Sequence, residues 1–486
     1  MTRRTQFRLL TAFTIVWITW AGWTLIGRSH PYELRVLDDL GNSIASAVVD
    51  VDGSQVGTTG VDGRVDMIWT RSTKILEVSA PGHVPQRLTL SDQPEEHLDV
   101  VLKARVLRGR VLDGTGVGVE GADVVAGAAE AMTDADGYFQ IRGAEEGEVH
   151  VSRPAWLPTS FTWEGGAGEA TVELEPFTAR AVHIDGPSMR DEFDRFVDMA
   201  METELNALMI DLKDETGFVW YNTQNPTALE AEAANDAYDL EATVTRAHDL
   251  GLYVIGRLVL FNDPIAAVSQ PEMAVWDSQT DSPYEARGQF FLDPTDPDAR
   301  QYGLDLAAEA CAAGVDEIQF DYVRFPDARR DSATFDGGVS PDIRRSTIKT
   351  FLTDAVEILR PMGCAVAADI FGYLTTSPDD GGIGQRWEEI ASIVDVVSPM
   401  LYPSHFHPEF FGFPSDQNPG RVVDEALADG MKRLSRQVVV RPWLQDFGYD
   451  AAKVREQITS AEEYGLGWML WNAESNVTVD ALLPAK

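Results

Sequence analysis

Two periodicities divide the chain. From Tyr32 to about Pro176 apolar and polar residues alternate, as in "YELRVLD", "VVDVDG", "EVSA", "RLTL" and "RVLRGRVLD", with Gly and Asp between the runs. Period two sends successive side chains to opposite faces, so the region reads as short strands of an all-β fold. From Thr178 the pattern changes to short apolar runs separated by amphipathic helices. The predicted strands are "RAVHIDG" (180–186), "ALMIDLKDE" (207–215), "LYVIGRLVLF" (252–261), "DEIQFDYVRF" (316–325), "CAVAADIFG" (364–372), "VDVVSPMLY" (394–402), "QVVVRPWLQDF" (437–447) and "GWMLWN" (467–472). Between them, "IRRSTIKTFLTDAVEIL" places Ile348, Phe351, Leu352, Ala355, Ile358 and Leu359 at helical spacing, and "ITSAEEYG" closes a helix at a glycine. Eight such units in order predict a (β/α)8 TIM barrel over 178–486. The rival is a doubly wound open sheet, which wants a glycine-rich phosphate loop after its first strand; none is present.

The β region repeats. "TGVDGRVDM" (59–67) aligns with "TDADGYFQI" (133–141), and "APGHVPQRLTL" with "RPAWLPTSFTW". Two β-sandwiches follow, over 31–103 and 104–176. Asp62-Gly63 and Asp136-Gly137 are placed at tight hairpin turns. A calcium site at Asp134 and Asp136 is the sharper alternative, with too few ligands nearby. Ahead of both, Arg3, Arg4 and Arg8 precede the uncharged apolar run Leu9–Gly27. At about 1.5 Å per residue that run nearly spans a bilayer core. The basic flank keeps the N-terminus in the cytoplasm and exports the rest. Residues 1–28 therefore read as a cytoplasmic tip and transmembrane signal anchor, with a cleaved signal peptide (and secretion) as the alternative.

Composition narrows the classes. The 486 residues carry 78 acidic and 39 basic side chains, a formal net charge of −39. Such a surface repels a phosphate backbone and argues against nucleic acid. The two cysteines, Cys311 and Cys364, sit in apolar surroundings and read as packed core thiols. No zinc spacing exists. Neither metal nor cofactor is expected. His405 and His407 stand two apart without an evident third ligand.

Barrel chemistry sits at the C-terminal strand ends. In strand four Ile318, Phe320 and Tyr322 form the outward set, so Gln319 and Asp321 point inward; in strand five Asp369 points inward. The same parity puts His183, Asp185, Asp211, Lys213, Arg257, Ser398, Tyr402, Arg441 and Trp443 at the inner mouth, with few polar groups at the other end. Strands four and five are neighbours, so Asp321 and Asp369 are expected roughly 5–8 Å apart, the spacing of glycoside hydrolysis. One carboxylate attacks or activates water; the other is a buried, protonated acid. Arg257, Arg324 and Arg441 are candidates to pair with a carboxylate or with substrate. Tyr402, Trp443, Trp471 and Trp276 are candidate sugar platforms, and Gln445 a further substrate contact.

The motifs "DEIQFDYVRFP", "AADIFGY", "VVSPMLYPSHF", "RPWLQDF" and "GWMLWN", in this order, resemble the bacterial putative glycosyl hydrolase domain, a TIM-barrel family, over Thr178–Asn476. Strand four also resembles, more distantly, the K-Y-D strand of α-galactosidases and the R-x-D strand of α-amylases, whose aspartate nucleophile maps onto Asp321. This chain has Gln319 where those carry a basic residue, and no glutamate ends strand five. Asp369 is thus the acid by position, with Asp214, Glu215 and Asp446 as rivals. The "T-D-x-D-G-x-F" turn resembles the carboxypeptidase regulatory-like domain, an extracellular spacer. The resemblances imply a glycoside hydrolase acting on a polysaccharide or oligosaccharide, and the N-terminal segment makes the expected enzyme membrane-anchored and extracytoplasmic. The alternative is an inactive carbohydrate-binding barrel.

Overall fold

The computed structural model describes residues 29–70, 74–90, 97–166, 168–327 and 331–485. The proposed anchor, residues 1–28, lies outside them. Among the described residues no helix is long and apolar enough to cross a membrane. The chain forms two compact units, a β-rich one and, from residue 176 with 154–157, a barrel.

In the β-rich unit, strands Ser29–Asp38, Arg64–Thr70, His97–Ala104 and His83–Val84 form one sheet; Val48–Val51, Ser54–Thr58, Lys74–Ser79 and Gln86–Leu90 form another. Alternate residues of both, including Leu34, Val36, Val49, Leu76, Val78 and Leu102, share one buried core. A second set follows the same plan, with sheets built on Val106–Leu112 and Asp123–Ala126. The repeat is visible in single hydrogen bonds. Thr59 Oγ1 accepts from Ala47 N and donates to Ile44 O; Thr133 Oγ1 accepts from Ala122 N and donates to Val119 O. Gly63 and Gly137 sit in the same turn at φ 75° and 78°, where a side chain would be strained. Asp134 is occupied by that turn: its Oδ1 accepts from the backbone N–H groups of Asp136 and Tyr138.

In the second unit eight parallel strands close on themselves: β1 (Arg180–Ile184), β2 (Ala207–Lys213), β3 (Tyr253–Val259), β4 (Glu317–Asp321), β5 (Ala365–Phe371), β6 (Val396–Leu401), β7 (Val439–Val440 and Trp443–Gln445) and β8 (Trp468–Trp471). Each pairs with the next, and β8 and β2 both flank β1. Helices α1 (Phe193–Glu202), α2 (Leu240–Asp249), α3 (Pro297–Ala312), α4 (Pro341–Leu359), α5 (Trp387–Ala391), α6 (Pro419–Lys432) and α7 (Ala451–Glu463) follow strands one to seven. Local sequence sets their starts. Asp296 and Ser340 cap α3 and α4 with a side-chain oxygen, each followed by a proline at the first helical position. In α4 the predicted apolar face is buried at Ile348, Phe351, Leu352, Ala355 and Leu359, while Ile358 is partly exposed. The strands are apolar on both sides because both sides are covered. One face packs on the helices; the other, with Ala181, Ala207, Met209, Ile255, Trp443 and Met469, fills the barrel.

Two expectations change. Cys311 and Cys364 are not free thiols: they form a disulfide, Cα–Cα 5.9 Å, joining the end of α3 to the start of β5. The lower barrel is not free of charge either. Glu317, the first residue of β4, is fully buried and accepts from Arg441 Nη1 at 2.6 Å and from the Tyr253 hydroxyl at 3.2 Å.

Candidate active site

The mouth is organised by one guanidinium. Arg257 projects inward from β3 and donates to Asp321 Oδ2 through Nε (3.1 Å) and Nη2 (2.6 Å), to Asp211 Oδ1 through Nη1 (2.9 Å), and to Glu215 through Nη2. Burial opposes its charge, but Glu215, Asp211 and Asp321 together push its pKa well above the ordinary arginine value. On its far side Asp211 Oδ2 meets His183 Nε2 at 3.0 Å, and His183 Nδ1 lies 2.8 Å from the carbonyl of Asn472. Both His183 partners only accept, so both ring nitrogens carry protons and the ring is an imidazolium. Its pKa is raised accordingly: burial works against the cation, and the Asp211 charge and hydrogen bond outweigh it. Asp211 is lowered in turn, the cations of His183 and Arg257 overcoming burial. Trp471 floors the group, with the His183 ring 4.2 Å from its own and the Arg257 guanidinium 4.6 Å above it.

Asp321 ends β4 because the next residue cannot continue a strand. Tyr322 has φ +50°, a left-handed conformation unusual for a bulky residue, and this turns its N–H onto Asp321 Oδ1 at 2.7 Å. The same kink draws the Tyr322 ring to Phe291 and Arg324, and its hydroxyl accepts from Gln289. The strand predicted to run to residue 325 therefore stops at Asp321.

Asp369, on the neighbouring β5, is set differently. Its Oδ1 accepts from the Trp443 indole N–H at 2.7 Å and from Gln319 Nε2, while Oδ2 is buried with no hydrogen-bond partner. Among the described residues no cation forms an ion pair with it. Burial, and then the charge of Asp321, push its pKa well above the carboxylate range; the bonds from Gln319 and Trp443 only partly oppose this. Asp369 is thus biased toward its neutral, protonated form beside an arginine-paired carboxylate.

The structure therefore assembles His183, Asp211, Arg257, Asp321, Asp369, Tyr402, Trp443 and Trp471. Others fall elsewhere. Trp443 is 1 % exposed and positions Asp369 rather than offering a face to a sugar. Arg441 points inward as expected but lies deeper, in its pair with Glu317. Lys213 leaves the mouth because the β2–β3 register slips between Asp211 and Lys213; its Nζ reaches Val259 O at 2.7 Å and Asp263 at 2.9 Å, below Tyr302 of α3. Asp185 caps the short helix Gly186–Asp191. Gln445 pins two loops, accepting from Ser404 N and donating to Phe447 O. Arg324 is boxed by Phe291, Tyr322 and Phe371, beside Asp327. Ser398 is fully buried on β6. Asp214 caps its own turn at Thr216, Asp446 accepts from Thr478 N, and Trp276 donates to Asp281 in a small side sheet. Glu215 is the residue the sequence undervalued. Its side chain is 36 % exposed, against 10 % for that of Asp321, so it stands at the more open rim of the Arg257 cluster.

A cleft of about 390 Å³ opens over the ends of β5, the strand of Asp369, and β6, walled by Phe371, Tyr373, Met400, Tyr402, Phe406 and Phe410. Sequence parity held a pointer to it, since Phe371 stands two residues beyond Asp369 on the same strand face.

The family described as "Putative glycosyl hydrolase domain" matches residues 181–477, more than half of the chain. Among solved structures, a hypothetical protein from Ruminiclostridium thermocellum is 34 % identical, over 39 % of this chain and 96 % of that one, with a TM-score of 0.36. The PgaB (BpsB) glycoside hydrolase domain from Bordetella bronchiseptica is 15 % identical over 61 % and 95 %, TM-score 0.43. A chitobiase from Flavobacterium johnsoniae is 14 % identical over 72 % and 50 %, TM-score 0.41. No curated protein matches the chain.

Proposed function

The chain belongs to the putative glycosyl hydrolase domain family, and from that premise we propose that its barrel hydrolyses glycosidic bonds with Asp321 as nucleophile or base and Asp369 as proton donor. The observation that carries this reading is the contrast between two carboxyls on adjacent strand ends. Asp321 receives two hydrogen bonds from Arg257 and one from the Tyr322 N–H. Asp369 is buried among neutral donors with its pKa raised. Environments that separate two carboxyls in this way set up an acid and a nucleophile at one pH. Asp321 either attacks the anomeric carbon or takes a proton from the attacking water; Asp369 protonates the leaving oxygen. His183 and Asp211 hold Arg257 in place from behind. The substrate is a polysaccharide or oligosaccharide. We place the enzyme outside the cytoplasm on the strength of the basic-then-apolar N-terminus; the Cys311–Cys364 disulfide supports the same address, because such bonds persist in oxidising compartments.

One observation favours a second assignment of the acid. Glu215 is half-buried where Asp369 is enclosed, so Glu215 is the more accessible donor. Leaving-group dependence separates the two. Glycosyl fluorides need no proton donor, whereas oligosaccharides do. Assayed on a panel of both, Asp321→Asn should abolish hydrolysis of each. The variant of the true acid, Asp369→Asn or Glu215→Gln, should lose oligosaccharide hydrolysis by about 100-fold or more and keep fluoride hydrolysis. Glycan binding by a wild type that cleaves nothing on the panel would instead mean a binding barrel.

A further inference from the structure

The aromatic cleft differs from the rest of the protein in what it lacks. About a quarter of the chain is charged (24 %), and acidic residues outnumber basic ones two to one. Yet among the described residues no Asp, Glu, Lys or Arg lines the cleft. Its polar groups are those of Tyr373, Tyr402, His405 and His407. Burial lowers the pKa of His405, so its imidazole is neutral at pH 7, able to donate at one nitrogen and accept at the other. The rings are fixed by one another: Tyr402 and His405 meet edge to face at 5.4 Å, and Phe406 and Phe410 likewise at 5.5 Å. The volume, about 390 Å³, falls within the range of small-ligand sites.

Flat apolar walls with a few neutral hydrogen-bonding groups suit an uncharged sugar, whose ring offers C–H faces and hydroxyl edges. A uronate or an amino sugar would leave water for a lining without a charged side chain, with the Arg324 guanidinium screened behind the Phe371 ring, at a cost that nothing in the lining offsets. Position supplies the direction. The cleft is continuous with the strand that carries Asp369, while the side of β8, β1, β2 and β3 is filled by Trp471, His183, Glu215 and Arg257. The leaving oxygen lies on the proton donor's side of the scissile bond.

We propose that this cleft binds an uncharged sugar residue on the leaving-group side of the bond. The direction rests on the reading of Asp369 as proton donor; the choice of a neutral sugar rests on the lining alone. The test uses the full chain with Tyr373→Ala and Phe410→Ala, singly and together. Phe410 is 43 % exposed and Tyr373 partly exposed, so the fold should tolerate both changes. Glycosyl fluorides occupy only the other side of the bond; neutral oligosaccharides fill both. The double variant should raise KM for a neutral oligosaccharide about tenfold, in line with losing one to two stacking contacts, and leave kcat/KM for the fluoride within about twofold. The wild type should prefer neutral oligosaccharides to their uronate and de-N-acetylated counterparts. Unchanged oligosaccharide KM, an equal loss on the fluoride, or charged sugars binding as well as neutral ones would each overturn the proposal. If the wild type hydrolyses nothing, titration calorimetry with the same oligosaccharides decides it separately. Binding that the double variant loses keeps the cleft and removes only the hydrolase reading; binding that it keeps, or no binding at all, removes the cleft.

Discussion

Asp369 makes the reading testable through stability as well as rate. Its folded pKa lies well above the unfolded value, with burial the leading cause and the Asp321 charge next. The folded protein therefore holds a proton that the unfolded chain releases above about pH 3.9. With more protons bound in the folded state, stability falls as pH rises from there to the raised pKa, and the full deficit persists above it. Asparagine keeps the oxygen that accepts from Trp443 and Gln319 and cannot ionise. Asp369→Asn should therefore raise the melting temperature at pH 7 and flatten its dependence between pH 4 and 7, while oligosaccharide hydrolysis collapses. Thermal denaturation across that range checks this. A variant clearly less stable than wild type at pH 7 would mean that Asp369 is a structural carboxylate and not a strained acid.

At the level of strands and helices, most of the fold was legible because apolar runs and their spacing report burial directly. All eight barrel strands fall where the runs put them. The inward positions of Asp321, Asp369, Arg257 and Asp211 follow from period two alone. Parity fails where the ladder is irregular, and it is silent on depth. Lys213 shares parity with Asp211, but the register slip between them turns it to the helix side. Arg441 faces the right way and still sits too deep, because the alternation that fixes a face cannot say how far a side chain lies from the rim. Trp443 looked like a platform because nothing in a sequence shows that an indole N–H already has a partner. The placement of Lys213 yields a clean expectation. Lys213→Met strands Asp263, whose side chain is fully buried, without its cation. Removing one partner of a buried pair costs roughly 3–5 kcal/mol. The variant should unfold at lower denaturant while kcat/KM stays within about twofold at low temperature; a selective loss of activity would put Lys213 back in the mouth.

Across the whole molecule, the disulfide is the feature that no local pattern could disclose. Cys311 and Cys364 are 53 residues apart and meet only because barrel closure lays the end of α3 against the start of β5. Their apolar neighbours announced burial and said nothing of pairing. A cross-link over that separation removes loop entropy from the unfolded chain worth roughly 4 kcal/mol in the chain-entropy account. It also ties stability to compartment, since the bond persists where the surroundings oxidise. Protein recovered from an oxidising compartment should therefore show no free thiol after denaturation. Reduction, or Cys311→Ser with Cys364→Ser, should lower the melting temperature of the barrel by several degrees. The β-rich unit has its own core and no cysteine among its residues, so its unfolding should not respond to reductant. Calorimetry of the full chain with and without reductant, alongside thiol titration in denaturant, reads both. Two titratable thiols in exported protein, or a barrel transition that ignores reductant, would remove the disulfide and with it the independent support for an extracytoplasmic address.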